Sequence, residues 1–332
     1  MRVLIVKTSS LGDIVHTLPA VTDARRALPF VKFDWVAEEA FAEIPGWHPA
    51  VGNVIPVALR RWRKAKLATA CNGEWRKFKQ RLREHKYDLV IDAQGLLKSA
   101  LIARRVPAPI VGLDKHSARE PLASWCYRRK VTVPWDLHAV ERVRRLFAQA
   151  LEYPLPESIG DYGIDKNLFI DIVPRNRHVL FLHGTTRADK HWPEAYWQQL
   201  CKQVCDAGFR VLLPWGNAVE HARAQRIAKV APNTEVLPRQ NLHSLAAIIA
   251  TSSAVVTVDT GLGHLSAALD IPTIALYGPT DPARIGTYGR HQIHLSARDL
   301  PASAAAVEPA IMAPLTPPLV WHALQPLLSK MP

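Results

Sequence analysis

The sequence predicts an α/β protein of two Rossmann-like domains whose polar strand-end loops face one another across a cleft. Short apolar runs recur along the chain, Val3–Val6, Val179–Leu182 and Val255–Val258 among them, each followed by a polar loop and a helical pattern. That alternation belongs to parallel strands joined by crossover helices. Midway the texture changes to Pro154, Pro156, Gly160, Gly163 and Pro174, a linker composition. At 332 residues the chain also exceeds one ordinary core. The expected division is a first domain over 1–155, a linker over 156–176 and a second domain over 177–318. A short amphipathic helix over 319–330 is expected to cross back to the first domain.

Val3–Val6 opens the first sheet, and Lys7–Asp13 is a polar turn leading into a helix that runs to about Ala27. Its one glycine, Gly12, satisfies neither the dinucleotide fingerprint nor the P-loop pattern. Ser10, Gly12 and Asp13 still fall at the carboxyl edge of a parallel sheet, where ligands bind. Asp13 has two readings: a first-turn carboxylate that complements the helix dipole, or a general base set beside Lys7 and a run of hydroxyls. His16, three residues on, reads as a packed or surface histidine. Further strands are expected at 32–36, 53–57 and 88–91, and the last ends in a loop carrying Gln94. Between 57 and 87 basic residues far outnumber Glu74 and Glu84. Arg60, Arg61, Arg63 and Lys64 follow a strand and so belong at the loop edge, suited to an anion, whereas 76–86 reads as a solvated helix face. Lys98 and Arg119 continue the positive bias, and Arg142 lies on a helix expected over 137–151.

The second half restarts with Val179–Leu182, which ends in a loop bearing Thr185, Thr186 and Lys190. Hydroxyls and an ammonium in one strand-end loop suit a phosphate cradle. Glu220 follows the strand 211–213 and is either an ordinary helix-start carboxylate or an acceptor for ribose hydroxyls. Gln240 lies in the loop after 235–237, placed to flank a base. Val255–Val258 then leads through Asp259, Thr260, Gly261, Leu262 and Gly263 into a small-residue helix opening near His264. The glycines admit close approach of a ligand and the helix N-terminus favours an anion. The plainer alternative is that Asp259 and Thr260 only cap that helix. A strand at 272–277 and a rigid turn, Gly278–Pro282, follow, and 301–318 reads as an extended tail.

A net charge of +13 points to an anionic partner: nucleic acid, an acidic membrane surface or a phosphorylated substrate. Cys71, Cys126, Cys201 and Cys205 make no C-x-x-C pair, which argues against a zinc site and for a reducing compartment. No apolar run approaches the roughly 20 residues that span a bilayer. The start of the chain lacks the apolar stretch of a signal peptide, so a cytoplasmic protein is expected.

The segments VLIVKTSSLGDIVHTLPA at 3–20, RRWRKA at 60–65, DAQGLLKSA at 92–100, AREPLAS at 118–124, HAVER at 138–142, HGTTRADKHWP at 183–193 and VDTGLGHLSAAL through YGPTDP at 258–282 together resemble the bacterial lipopolysaccharide heptosyltransferases. RRWRKA and DAQGLLKSA narrow the resemblance to members that add the first heptose. The resemblance implies the B-type glycosyltransferase fold and inverting, metal-independent transfer of L-glycero-D-manno-heptose from ADP-heptose to the first Kdo of Kdo-lipid A, with no cofactor. It makes Asp13 the general base and assigns the pyrophosphate to Thr185, Thr186 and Lys190. Glu220 takes the ribose, while Asp259, Thr260, Gly261 and His264 line the sugar–phosphate end. Gln240 stands where an apolar side chain is expected. Arg60, Arg61, Arg63, Lys64, Lys98, Arg119 and Arg142, with Ser10, Gly12 and Gln94, become the acceptor side. The implied location is the cytoplasmic face of the inner membrane, on its anionic surface, without nucleic acid. Competing readings are a transferase of a later heptose, a nucleic-acid-binding protein using the basic 60–86 segment, and a non-catalytic membrane adaptor.

Overall fold

The computed structural model describes residues 1–64, 73–170, 177–303 and 305–329, with the side chains of Lys64 and Ile170 left aside. Lys64 as a ligand, Cys71 and the last part of the expected linker therefore lie outside the described residues. The chain divides into two compact units, Met1–Ile164 and Asp165–Pro332.

In the first unit β1 (Arg2–Val6), β2 (Lys32–Glu38), β3 (Val51–Val57), β4 (Leu89–Asp92), β5 (Ile110–Leu113) and β6 (Arg129–Val131) form one sheet in the order β3-β2-β1-β4-β5-β6. In the second, β7 (His178–Leu182), β8 (Arg210–Leu213), β9 (Thr234–Val236), β10 (Ala254–Val258), β11 (Thr273–Tyr277) and β12 (Gln292–Ser296) take the order β12-β11-β10-β7-β8-β9. Every pairing is parallel. Numbered within its own unit, each sheet has the same doubly wound order, which reverses between the first and fourth strands. The two reversals fall between β1 and β4 and between β7 and β10.

Central strands such as β7 and β10 are buried along their whole length, because crossover helices cover both faces. That is why they are uninterrupted apolar runs. Leu4, Val6, Val36 and Val90 anchor the first core and Val179, Phe181, Val256 and Ile274 the second.

Several expectations change. The first helix is broken into Leu11–Val15 and Leu18–Ala27. Pro19 has no N–H to continue the first helix and sits instead in the opening turn of the second. The segment 156–164, expected as linker, is packed on the first unit: Arg144 Nη2 donates to the Pro156 carbonyl at 3.2 Å, and Tyr162 is buried. The C-terminal helix, Pro317–Ser329, packs on the second unit against the helix Glu194–Asp206, burying Val320, Leu324 and Leu328 in that core. Leu319, Trp321, Ala323 and Leu327 pack against the same core. The tail before it is not simply extended, since Met312 and Leu315 are buried and Trp192 Nε1 donates to the Leu315 carbonyl at 2.7 Å.

A buried polar cluster fixes the helix Leu18–Ala27 in the first unit. Arg144 Nε donates to Asp23 Oδ2 at 2.6 Å and Nη1 to Glu141 Oε1 at 2.9 Å. Burial opposes the Arg144 charge, but these carboxylates outweigh it and hold its pKa above the usual range. His48 joins the same helix through Nε2 and Thr22 Oγ1, 2.9 Å apart, and its Nδ1 accepts the Ala50 N–H at 3.1 Å. A proton on Nδ1 would abolish the Ala50 bond, and burial lowers this histidine from 6.5 to about 4.

A histidine held neutral in the fold but free to protonate when unfolded contributes stability above the unfolded pKa, lost as pH falls through 6.5 towards 4. From His48 alone, the loss between pH 7 and pH 4 is expected to be roughly 3 kcal/mol. Urea unfolding across that range checks it. In His48→Gln the acid-dependent loss should shrink by about that amount, and an unchanged pH profile would remove His48 as its source.

Candidate active site

In the second unit the loops after β7 and β10 meet at the reversal of strand order. Lys190 Nζ lies 2.5 Å from Asp259 Oδ2, and Thr185 Oγ1 donates to the Asp259 carbonyl at 3.2 Å. Thr280, in the loop after β11, donates to the same Oδ2 at 2.7 Å. His264 Nε2 is 3.9 Å from Asp259 Oδ1. The Asp259 carboxylate thus gathers three loops rather than capping the following helix, and Thr260, at the N-cap position of Gly261–Ala268, makes no side-chain cap bond either. The first amides of that helix remain directed at the same edge. Gly263 is required for packing, since a Cβ there would come within 2.9 Å of the Thr257 side chain.

The loop after β8 adjoins this group. Glu220 Oε2 accepts the Gly216 N–H at 2.7 Å, and a Cβ on Gly184 would lie 2.9 Å from Glu220 Cδ. Glu220 therefore sits against the backbone of the Thr185–Lys190 loop, while Thr186 is exposed beside it. Gln240 turns its amide to the Pro238 carbonyl at 3.0 Å, and Trp215 Nε1 ties the loop after β8 to the Leu237 carbonyl at 2.7 Å. Beneath the loops His183 is buried, and burial lowers it to about 4. The tail supports the site from outside: Met312 Sδ occupies the space beside Gly278, where a Cβ would be only 2.5 Å from it.

The first unit shows the same plan. Lys7 Nζ donates to the Ala93 carbonyl at 2.8 Å, and Gln94 Oε1 accepts the N–H groups of Thr8 and Ser9 at 3.0 and 3.1 Å. Gln94 clamps the loop after β1 to the loop after β4. Asp13 Oδ2 accepts from Ser10 N at 2.7 Å and Ser10 Oγ at 2.9 Å, which fixes the carboxylate over buried Gly12. Burial pushes the Lys7 pKa down, opposed by the charges of Asp13 and Asp92 and assisted by those of Arg119 and Arg142. Asp92 is fully buried and its pKa raised by that burial, though Tyr127 Oη at 2.8 Å, Ser99 Oγ at 2.9 Å and the Gln94 N–H at 2.9 Å partly offset it. His16 is buried and edge-on to His138, with ring centroids 5.5 Å apart.

The basic residues divide into groups. Arg119 and Arg142 belong with Lys7 and Asp13; Arg142 Nη2 also donates to the Ser117 carbonyl at 2.6 Å, and its guanidinium lies 3.9 Å from the Trp135 ring centre. Arg60 and Lys98 surround Glu38, whose pKa is raised by burial and lowered by both cations; Glu38 Oε1 accepts the Arg60 N–H at 2.9 Å. Arg61 is bound by Glu39 and Glu74 at 3.1 and 3.0 Å, while Arg63 is exposed. The sequence reading gives Thr280 no part in the site and brings in Lys7 only as the neighbour of Asp13. A hydroxyl in a strand-end loop, the signal used for Thr185, also applies to Thr280.

The profile of glycosyltransferase family 9 (heptosyltransferase) matches residues 75–315. Lipopolysaccharide heptosyltransferase 1 of Pseudomonas aeruginosa is 61% identical over 304 residues, covering 91% of this chain and 85% of that protein. The structure of E. coli heptosyltransferase WaaC with ADP aligns at a TM-score of 0.90 and 48% identity, over 98% of this chain and 100% of the other. The same enzyme with ADP-2-deoxy-2-fluoro heptose aligns at 0.87 and 47%, over 98% and 99%. With strand order, switch-point loops and sequence in agreement, the chain belongs to glycosyltransferase family 9, the heptosyltransferases.

Proposed function

We propose that this enzyme transfers L-glycero-D-manno-heptose from ADP-heptose to the first Kdo of Kdo-lipid A, working at the cytoplasmic face of the inner membrane. The observation that carries the reading is the 61% identity to a lipopolysaccharide heptosyltransferase 1 along nearly the whole chain. The switch-point loops supply the matching chemistry. In the second unit Lys190, with the hydroxyls of Thr185 and Thr186 and the helix amides from Gly261, is suited to a diphosphate, and Glu220 to ribose hydroxyls. Asp259, Thr260 and His264 take the sugar–phosphate end, and Gln240 lies by the base.

Asp13, oriented by Ser10, takes the proton of the Kdo hydroxyl as its oxygen attacks the anomeric carbon. The bond from that carbon to the β-phosphate oxygen breaks, and ADP departs with the electron pair and inversion. Lys190 and the helix N-terminus stabilise the charge that develops on the leaving diphosphate, so the reaction proceeds without a metal. Arg60, Arg63, Lys98, Arg119 and Arg142 engage the carboxylates and phosphates of the acceptor, whereas Arg61 is already held by two glutamates and Gln94 acts by positioning the Asp13 loop. A nucleic-acid reading is disfavoured by the aromatic residues it would use. Trp62 and Trp75 pack edge to face at 5.7 Å, and the Trp62 indole N–H donates to Glu74 at 2.6 Å, so the rings are engaged with each other and with Phe78.

ADP release on mixing with ADP-heptose should require Kdo-lipid A and survive EDTA. Release only with an acceptor already carrying a heptose would assign the enzyme to a later step. Asp13→Ala should fold normally and lose roughly 10²–10⁴-fold in turnover; wild-type turnover would return Asp13 to a capping role. Lys190→Ala should reduce kcat/KM on the order of 10²-fold, and an undiminished value, with the fold intact by circular dichroism, would take Lys190 out of the chemistry.

A further inference from the structure

Large apolar side chains that stand singly on a surface need no explanation, and Phe30 or Val219 are of that kind. A different arrangement occurs in the first unit, where the helix Leu97–Ala103 lies against the 3-10 stretch Pro121–Cys126. Ala100, Ala103 and Ala123 are buried in the core beneath them. On the outer side the same two elements present Leu97, Leu101, Leu122 and Trp125, which are 39, 47, 52 and 77% exposed. The stagger follows from the sequence: Leu97 and Leu101 are one helical turn apart, and Leu122 and Trp125 one 3-10 turn apart, so each pair shares a face.

The surroundings are predominantly cationic. Lys98, Arg104, Arg105, Arg119 and Arg128 are exposed on or beside these elements. The acidic neighbour, Glu120, is engaged, its Oε2 accepting the Leu97 N–H at 2.7 Å. An apolar knuckle within a cationic collar has two complementary requirements, a hydrocarbon layer to enter and a plane of negative charge above it. An anionic lipid bilayer offers both at once. Tryptophan, with a large ring and one N–H donor, is the side chain that favours the headgroup level. Long arginine and lysine stems can lie along the apolar edge while their charged ends stay among the phosphates.

We infer that the patch formed by Leu97, Leu101, Leu122 and Trp125 docks this enzyme on an anionic bilayer, with Leu122 and Trp125 entering the headgroup region. This deepens the proposed function, on whose lipid acceptor it rests, by naming the surface that meets the membrane.

The test is flotation of the purified full-length protein with vesicles of phosphatidylethanolamine containing about a third phosphatidylglycerol. Wild type should float with these vesicles, and a variant with Leu122→Ser and Trp125→Ser should bind at least about tenfold more weakly. Arg105→Gln with Arg128→Gln should weaken binding and flatten its salt dependence. The serine variant should keep the turnover of a deacylated, soluble Kdo acceptor within about twofold and lose turnover of the same acceptor embedded in vesicles. Flotation of the serine variant like wild type would overturn the docking surface. So would equal binding of wild type to neutral phosphatidylcholine vesicles, or a dimer dissolved by Trp125→Ser in a protein that ignores vesicles. If vesicle binding depends on Trp125 but no acceptor yields ADP release, the docking surface stands and the proposed reaction falls; acceptor-dependent release with vesicle binding unchanged in the variant gives the converse.

Discussion

The constraint on which both units depend is the reversal of strand order in a parallel sheet. Where the crossovers leave in opposite directions, the first and fourth strands have neighbouring carboxyl ends but diverging loops. Something must bridge them, or polar backbone at the sheet edge is left without partners. The two units solve this alike. In each, the carbonyl of the residue just after the fourth strand, Ala93 or Asp259, accepts a side-chain donor from the loop after the first strand, Lys7 or Thr185. A second bridge runs alongside it, from the Thr8 and Ser9 amides to Gln94 in one unit and from Lys190 to the Asp259 carboxylate in the other. The candidate catalytic and donor residues are held by these bridges.

The two bridging lysines differ in what their surroundings permit. Lys7 is buried among Asp13, Asp92 and the nearer arginines, and desolvation dominates its electrostatics. Its hydrogen bond to a carbonyl makes it part of the scaffold on which the Asp13 loop rests. Lys190 and Asp259 are both partly open to solvent. A pair of that kind adds little net stability, because desolvation of the two ions offsets much of their attraction. What it gives is position: the ammonium is held at the sheet edge by Asp259, which Thr280 orients in turn.

The sequence made the central strands and their loops legible because burial on both faces writes an unbroken apolar run, and ligand chemistry writes hydroxyls, glycines and charges directly after it. Legibility fell where neither condition held. β6 and β12 are edge strands with half-exposed residues such as Arg129, Lys130 and His294, and so carry no apolar run. β5 is four residues long and includes Gly112, where a Cβ would lie 2.5 Å from the Tyr127 ring, so its packing is recorded by an absent side chain. The segment 156–164 has the composition of a linker, yet its glycines are packing residues: Gly160 faces Pro19 and Arg144, and Gly163 faces His48 and Thr22. Proline and glycine content reports backbone freedom in a loop but not what lies against it. Thr280 escapes for a related reason, since turn composition reports rigidity while its role exists only through contact with Asp259.

The strong positive charge is best understood by asking which cations have protein partners. Arg144 lies buried with Asp23 and Glu141, Arg226 is bound by Glu194 at 2.8 Å, and Arg61 by Glu39 and Glu74. Arg144 is internal to the fold, whereas Arg61 and Arg226 are exposed but matched by carboxylates, so all three exert little on a distant ligand. Within the first unit, other cations divide by location. Arg119 and Arg142 share the field of Lys7 beside Asp13, and Arg60 and Lys98 that of Glu38, where a multiply charged acceptor headgroup would be met. Arg104, Arg105 and Arg128 lie instead around exposed leucine and tryptophan. At the sheet edge cations with hydroxyls and amides can recognise one molecule; around an apolar knuckle they meet a plane of charge, where arrangement matters less than sum. Net charge alone made nucleic acid, phosphorylated substrate and membrane equivalent, and it is the company each cation keeps that separates them.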